Sequence, residues 1–290
     1  MNTTEYLSKW AISYKDDIIN NIMPFWMKYG LDREHGGVYT CVNRDGSLMD
    51  TTKSVWFQGR FGFIAAYAYN NIEKNPQWLV ASKSCIDFIE AHCFDTDGHM
   101  FFEVTEDGKP LRKRRYVFSE GFAAIAMAEY ALATGEKEYA KKALDIFKRT
   151  LHFLNTPGFL EPKYLPTLPS RGHSITMILI NTASRIRMVI DDPSLTEQID
   201  TSIAALRKYF IHPEFKALLE MVGPDGEFID TCNGRVINPG HCIETAWFIM
   251  EEAKYRNWDK DLLQLALQIL DWSWEWGWDK EFGGIINFRD

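Results

Sequence analysis

"FSEGFAAIAMAEYALATG", residues 118–135, is apolar around nearly its whole circumference. A helix of this composition offers water no polar flank, so it has to be buried on all sides. Three further segments share the pattern: "WFQGRFGFIAAYAYN" from Trp56, "HSITMILINTASRIR" from His173 and "HCIETAWFIMEEAKY" from His241. Between them lie segments with one apolar stripe and one charged face. In "KEYAKKALDIFKRTLHFL" (Lys137–Leu154), Tyr139, Ala143, Ile146, Phe147, Leu151 and Leu154 recur at helical spacing. "QWLVASKSCIDFIEAHCF", "LTEQIDTSIAALRKYF" and "DKDLLQLALQILDWSWEW" repeat it. The alternation predicts inner helices near 54–71, 118–134, 173–190 and 241–256, with amphipathic helices outside them.

Each inner–outer pair takes about sixty residues, the period of stacked helical hairpins. An inner ring inside an outer ring is an all-α (α/α) toroid, whose closed form uses six hairpins and about 360 residues. The 290 residues supply fewer than five such hairpins. The expectation is an (α/α)6 barrel that is incomplete at its C-terminus, a single domain over 1–290 without a linker. The connectors "LDREHGGVYT" (Leu31–Thr40), "FDTDGHMFFEV" (Phe94–Val104) and "WDKEFGGIINF" (Trp278–Phe288) each join an acidic glycine turn to a β-prone run. They predict short hairpins at one rim, with "GPDGEF" (Gly223–Phe228) a weaker fourth.

The formal net charge of −8 argues against nucleic acid or an anionic membrane as partner. The basic run "KPLRKRR" (Lys109–Arg115) reads as a solvated loop rather than a binding patch. Five cysteines without C-x-x-C spacing point to a reducing compartment. The N-terminus has no apolar signal core and no stretch is long and apolar enough to span a bilayer, so a cytoplasmic location is expected. Aromatic content is 14%, enough for stacking walls around a sugar as well as for a core.

Buried helices that begin at the rim present free N–H groups and a positive dipole end to the mouth. A histidine there is held neutral, as a general base must be. His241 follows Pro239 and Gly240 in such a place, and Glu244 lies on the same helix face. Two accounts of "PGHCIE" stay open: a helix-capping histidine with Glu244 in the capping position, or a catalytic base that Glu244 orients. No third-ligand pattern supports a metal site. Arg60, in "WFQGRFGF", either reaches a ligand carbonyl or pairs with Glu120 or Glu244, and Glu120 invites the same two accounts. His173 begins the third buried helix, facing the mouth or lying in a loop. His35, His92, His99, His152 and His212 read as structural, and the stripe Trp272, Trp274, Trp276, Trp278 as core plus rim.

"DREHGGVYTCVNRDG", "KSVWFQGRFGF", "FSEGFAAIAMAEYALATG", "INPGHCIETAWFIM" and "GWDKEFGGIINF" together resemble the N-acylglucosamine 2-epimerase family, which includes cellobiose 2-epimerases and aldose–ketose isomerases. The five motifs are collinear over nearly the whole chain. The resemblance implies an (α/α)6 barrel and cofactor-independent epimerisation at C2 of a ring-opened sugar, N-acylglucosamine or a related aldose. It implies that His241 is one of two histidines exchanging the C2 proton. Arg60 and Glu244 match family active-site positions, with Arg60 stabilising the developing oxyanion, and Glu120, His173, Met177 and Trp247 complete the expected substrate-binding set. The family's second catalytic histidine lies in an "H-V-P-R"-like motif that this sequence lacks. Met177 stands where cellobiose-type enzymes carry a histidine, which leans toward an N-acylglucosamine-type or monosaccharide substrate. ATP acts as an effector in some members, and a homodimer is compatible. Two other classes compete: a glycoside hydrolase or lyase built on opposed carboxylates among Glu120, Glu244 and Asp230, and a non-catalytic sugar-binding remnant.

Overall fold

The computed structural model describes residues 2–113 and 116–290. Helices form where the apolar periodicity predicts them: Thr3–Asp17 (α1), Val55–Asn71 (α2), Pro76–His92 (α3), Phe118–Thr134 (α4), Lys137–Asn155 (α5), His173–Arg187 (α6), Pro193–Ala205 (α7), Pro239–Tyr255 (α8) and Lys260–Gly277 (α9). Shorter helical turns follow α1 and α7. The strands are short: Cys41–Val42 (β1), Leu48–Asp50 (β2), Lys53–Ser54 (β3), Phe101–Val104 (β4), Pro110–Lys113 (β5), Arg171–Gly172 (β6), Ile211–His212 (β7), Ala217–Leu218 (β8) and Met221–Val222 (β9). All pair antiparallel, in the sheets β1–β2, β3–β4–β5, β6–β9 and β7–β8. The chain forms two compact units, Met1–Glu161 with Met188–Ile190, and Pro162–Arg187 with Asp191–Asp290. No composition break marks the division.

In the first unit α4 is the centre. Every residue from Ser119 to Ala131 is buried, because α2, α3 and α5 all pack on it. Contact with α2 is close: a Cβ on Gly59 would meet the Phe122 carbonyl carbon at 2.6 Å, so only glycine fits there. Ser82 Oγ donates to Gly62 O at 2.7 Å and ties α3 to the same helix. Gly135, at φ 77°, ends α4 in the left-handed conformation. The expectation that all four apolar helices are buried all round fails for α2 and α8. Phe57 and Ile64 of α2 are 46% and 48% exposed, and Trp247 of α8 is 44% exposed. In its own unit α2 packs through Gly59, Gly62, Ala65 and Ala66, and Ala65 and Ala68 also meet Met23 of the helical segment after α1.

The predicted rim turns are present, and three of them share one scheme. Single antiparallel bridges join Leu31 to Val38, Phe94 to Met100 and Trp278 to Ile285. In each turn an aspartate N–H donates across the turn: Asp32 to Gly37 O, Asp95 to His99 O, Asp279 to Gly284 O. The aspartate carboxylate then accepts from backbone N–H groups that follow it, as Asp32 Oδ1 does from Glu34 and His35. In the first turn Lys53 is fully buried. Its ammonium donates to Asp32 Oδ2 (2.7 Å), Gly36 O and Glu106 O (both 2.8 Å), so its three protons are all used.

In the second unit α6 packs on α7, α8 on α9, and α6 on α8. Glu252, 1% exposed, accepts from Arg187 Nη2 at 2.5 Å and Arg256 Nε at 2.6 Å, which closes the α6–α8 contact with paired rather than bare charge. The tryptophan stripe does not enter the core. Ile269, Ser273 and Gly277 form the buried line of α9, while Trp274 and Trp278 stack outside it at 5.0 Å. The basic run is likewise corrected: Pro110–Lys113 is the exposed edge strand β5, with Lys113 paired to Asp95 and Asp97, and Arg114 and Arg115 lie outside the described residues. Cys85, Cys93 and Cys242 are buried, Cys41 and Cys232 exposed, and all five thiols are free. Burial pushes the Cys85 and Cys242 thiols up to about 12. Helix α1 buries no residue. No described helix is long and apolar enough to cross a membrane.

Candidate active site

A two-residue strand pair builds the site. Gly172 of β6 lies opposite Met221 of β9, so the residue after β6 and the residue before β9 are neighbours. These are His173 and Glu220, and the His173 N–H donates to the Glu220 carbonyl at 3.0 Å. His173 is also the first residue of α6. The first turn of α8 reaches the same point. Pro239 opens that helix, and the Asn238 side chain caps it by accepting from the His241 N–H at 3.2 Å. The cap is therefore Asn238, and neither His241 nor Glu244 fills that role.

Glu220 Oε2 stands 3.0 Å from His241 Nδ1 and 3.5 Å from His173 Nδ1. On the far side of His173, Nε2 lies 2.9 Å from Thr245 Oγ1, and the Thr245 hydroxyl donates to the His241 carbonyl at 2.8 Å. The two imidazole centroids are 6.4 Å apart. His173 has no exposed surface, whereas the His241 side chain is 35% exposed. Burial alone would raise the Glu220 carboxyl, but the close approach of His173 and His241 outweighs it and holds the group at about 2. Glu220 is thus an anion at neutral pH, an acceptor for a proton on His241 Nδ1. That fixes the tautomer with the Nε2 lone pair as the basic position.

The other expected residues fall as follows. Glu244 is half-buried on the His241 face of α8, and Trp247 is exposed beside Phe248, ring centroids 5.0 Å apart. Met177 is buried one turn beyond His173, so the third buried helix does present a histidine to His241, and that histidine is His173. Arg60 and Glu120 belong to the first unit. Arg60 is exposed, its guanidinium carbon 4.3 Å from the Phe122 ring centre, and no described carboxylate of that unit pairs with it. Glu120 is buried and engaged: Oε1 lies 2.5 Å from His99 Nδ1 and accepts from the Met100 N–H at 2.7 Å. Of the histidines expected to be structural, His99 is the one that takes the Glu120 carboxylate. Glu220 was missed. Its only trace in the sequence is one charge inside the apolar run "ALLEMV".

Residues 37–290 match the profile of the N-acylglucosamine 2-epimerase (GlcNAc 2-epimerase) family. The chain belongs to this family. It is 29% identical over 281 residues to the N-acylglucosamine 2-epimerase of Rattus norvegicus, covering 94% of this chain and 67% of that enzyme. It is 29% identical over 160 residues to the cellobiose 2-epimerase of Eubacterium cellulosolvens, covering 52% of this chain and 37% of that enzyme. Among solved structures, the cellobiose 2-epimerase of Bacillus thermoamylovorans B4167 superposes with a TM-score of 0.84 at 20% identity, covering 98% of this chain and 76% of that one. This likeness bears on the fold, whose mostly helical character it shares. Family membership makes the chain an isomerase of the sugar 2-epimerase class.

Proposed function

We propose that the chain epimerises C2 of a ring-opened N-acylglucosamine or N-acylmannosamine, with His241 as a general base. The observation that carries this is the Glu220–His241 hydrogen bond at 3.0 Å, which orients the imidazole, raises its basicity and directs Nε2 away from the carboxylate. Opening the pyranose leaves an aldehyde whose α-proton is acidic. His241 Nε2 takes that proton, the C2–H electron pair becomes the enediolate, and a proton from water on the opposite face inverts the centre while His241 returns its own proton to solvent. His173 is not the group on the opposite face. It has no exposed surface and shares Glu220 with His241, so its role is to position that carboxylate. Glu244 and Trp247, on the same helix as His241, are assigned to the sugar. The steps use no cofactor. The alternation of inner and outer helices supports an (α/α) toroid as the frame, and nothing favours a membrane or nucleic-acid partner at this acidic surface.

A glycosidase would need two facing carboxylates. Glu120 is sequestered by His99, and Asp230 is exposed and paired with Arg235 at 2.8 Å, so neither supports that chemistry. The test is incubation with N-acetylmannosamine in D2O, followed by NMR, with mannose and cellobiose in parallel. Deuterium is expected at C2 of the N-acyl sugar, and His241→Asn should abolish its entry. Undiminished exchange in the folded His241→Asn protein would refute the assignment.

A further inference from the structure

We propose that His173 Nδ1, Glu220 Oε2 and His241 Nδ1 form a three-ligand site for a divalent transition-metal ion of the zinc class, and that an ion bound there switches off His241. The three donor atoms lie within 4.8 Å of one another. The two measured edges from Glu220 Oε2, 3.0 Å to His241 and 3.5 Å to His173, bracket the edge of about 3.3 Å that a tetrahedral centre with bonds of about 2.0–2.1 Å requires. Two imidazoles and one carboxylate are a donor set that borderline cations take, with the fourth position left for water.

His173 supplies the independent sign. Its Nδ1 is buried and has no hydrogen-bond partner. Thr245 explains why the lone pair sits there. The threonine's one hydroxyl proton is committed to the His241 carbonyl, so its oxygen accepts from His173 Nε2–H. With Nε2 as the donor, the His173 Nδ1 lone pair faces the Glu220 carboxylate at 3.5 Å, and a cation placed between the two atoms, a metal ion or a proton, relieves that contact. A ligating histidine whose other nitrogen is fixed by an outer hydrogen bond is the usual support of a protein metal site. The two helix N-termini that meet here oppose a positive charge. Occupancy will accordingly follow ambient metal, so the site answers to a supply of ion and does not hold one permanently.

The consequence for His241 follows from counting protons. Ligation through Nδ1 displaces the proton that Nδ1 donates to Glu220. In the neutral ring that proton must then reside on Nε2, and the basic lone pair is lost. Metal binding as such does not depend on the epimerase assignment, whereas the switching claim rests on it, and the two are read separately.

The full chain is titrated with Co2+, whose visible absorption is intense only in tetrahedral sites, and with Zn2+ by calorimetry. One ion per chain with tetrahedral cobalt bands is expected. Glu220→Gln and His173→Ala should each weaken binding by about 100-fold or more, and Thr245→Val, which keeps all three ligands, by about 10-fold. Unfolding midpoints show which variants remain folded, and Thr245→Val supplies the test should His173→Ala fail to fold. Weak octahedral cobalt spectra, or affinities that the folded variants leave unchanged, would overturn the site. If cobalt binds as expected and zinc also stops C2 deuterium exchange reversibly to chelator, the switch stands. If exchange continues with the site full, the switch falls while the site remains.

Discussion

Glu120 Oε1 lies 2.5 Å from His99 Nδ1 inside the first unit, and neither side chain is more than 5% exposed. The same oxygen accepts from the Met100 N–H, so one carboxylate holds the Phe94–Met100 turn against the first turn of α4. Removing it strands a buried imidazole and a buried N–H. Glu120→Ala is expected to cost about 2–4 kcal/mol of stability, read as a lower urea midpoint at unchanged m-value. An unchanged midpoint with a raised KM would instead place Glu120 on the substrate.

Gly59→Ala tests the packing of α2 on α4. The added methyl would meet Phe122 backbone atoms at 2.6–2.8 Å, and backbone cannot rotate aside as a side chain does. A loss of about 1–3 kcal/mol is expected, whereas Gly240→Ala, whose nearest neighbour is Asn238 Oδ1 at 3.3 Å, should be far milder. Equal thermal shifts for the two variants would contradict the close helix contact.

Glu220 sets an acid limit on stability. Its folded carboxyl is held at about 2 against an ordinary 4.5. Between these values the unfolded chain binds more protons than the folded one, so stability rises with pH through this window and the contribution is complete above it. As pH falls from 4.5 to about 2, wild type should lose more stability than Glu220→Gln, which carries no titrating carboxyl there. Parallel acid limbs in the two proteins would show that the histidines do not stabilise the anion.

Lys53→Met examines the buried ammonium under the first rim turn. The substitution leaves the Asp32 carboxylate, 1% exposed, without its cation and leaves two carbonyls without a donor. A destabilisation of about 3–5 kcal/mol is expected. The double variant Lys53→Met, Asp32→Asn should recover part of it, and the thermal midpoints of the pair decide.

The helices were legible because each is long enough for its apolar pattern to repeat several times. α5 shows this best: every residue named in its predicted stripe apart from Leu151 and Leu154 is fully buried. The exposed flanks of α2 and α8 were not legible, since apolar composition on a face does not say whether a neighbour covers it. The start of α8 beside His241 was legible through its Pro-Gly turn. Glu220 was not, because the antiparallel register of β6 and β9 brings it to His173 and the return of the chain into α8 brings it to His241. Strands of two residues leave no periodicity to read, and partners 21 and 47 positions away in sequence share no local motif. The exchange of partners at Glu120 has the same origin: a pairing between helices named Arg60, while a turn brought in His99.

The distribution of thiols gives the protein two built-in attachment points. Cys41 and Cys232 are exposed, one in each compact unit, while Cys85, Cys93 and Cys242 are shielded and Cys85 and Cys242 resist ionisation. Thiolate is the species that alkylates. A maleimide dye would therefore label one position per unit in the native chain without any engineered cysteine, so that each unit reports separately as sugar or metal is added.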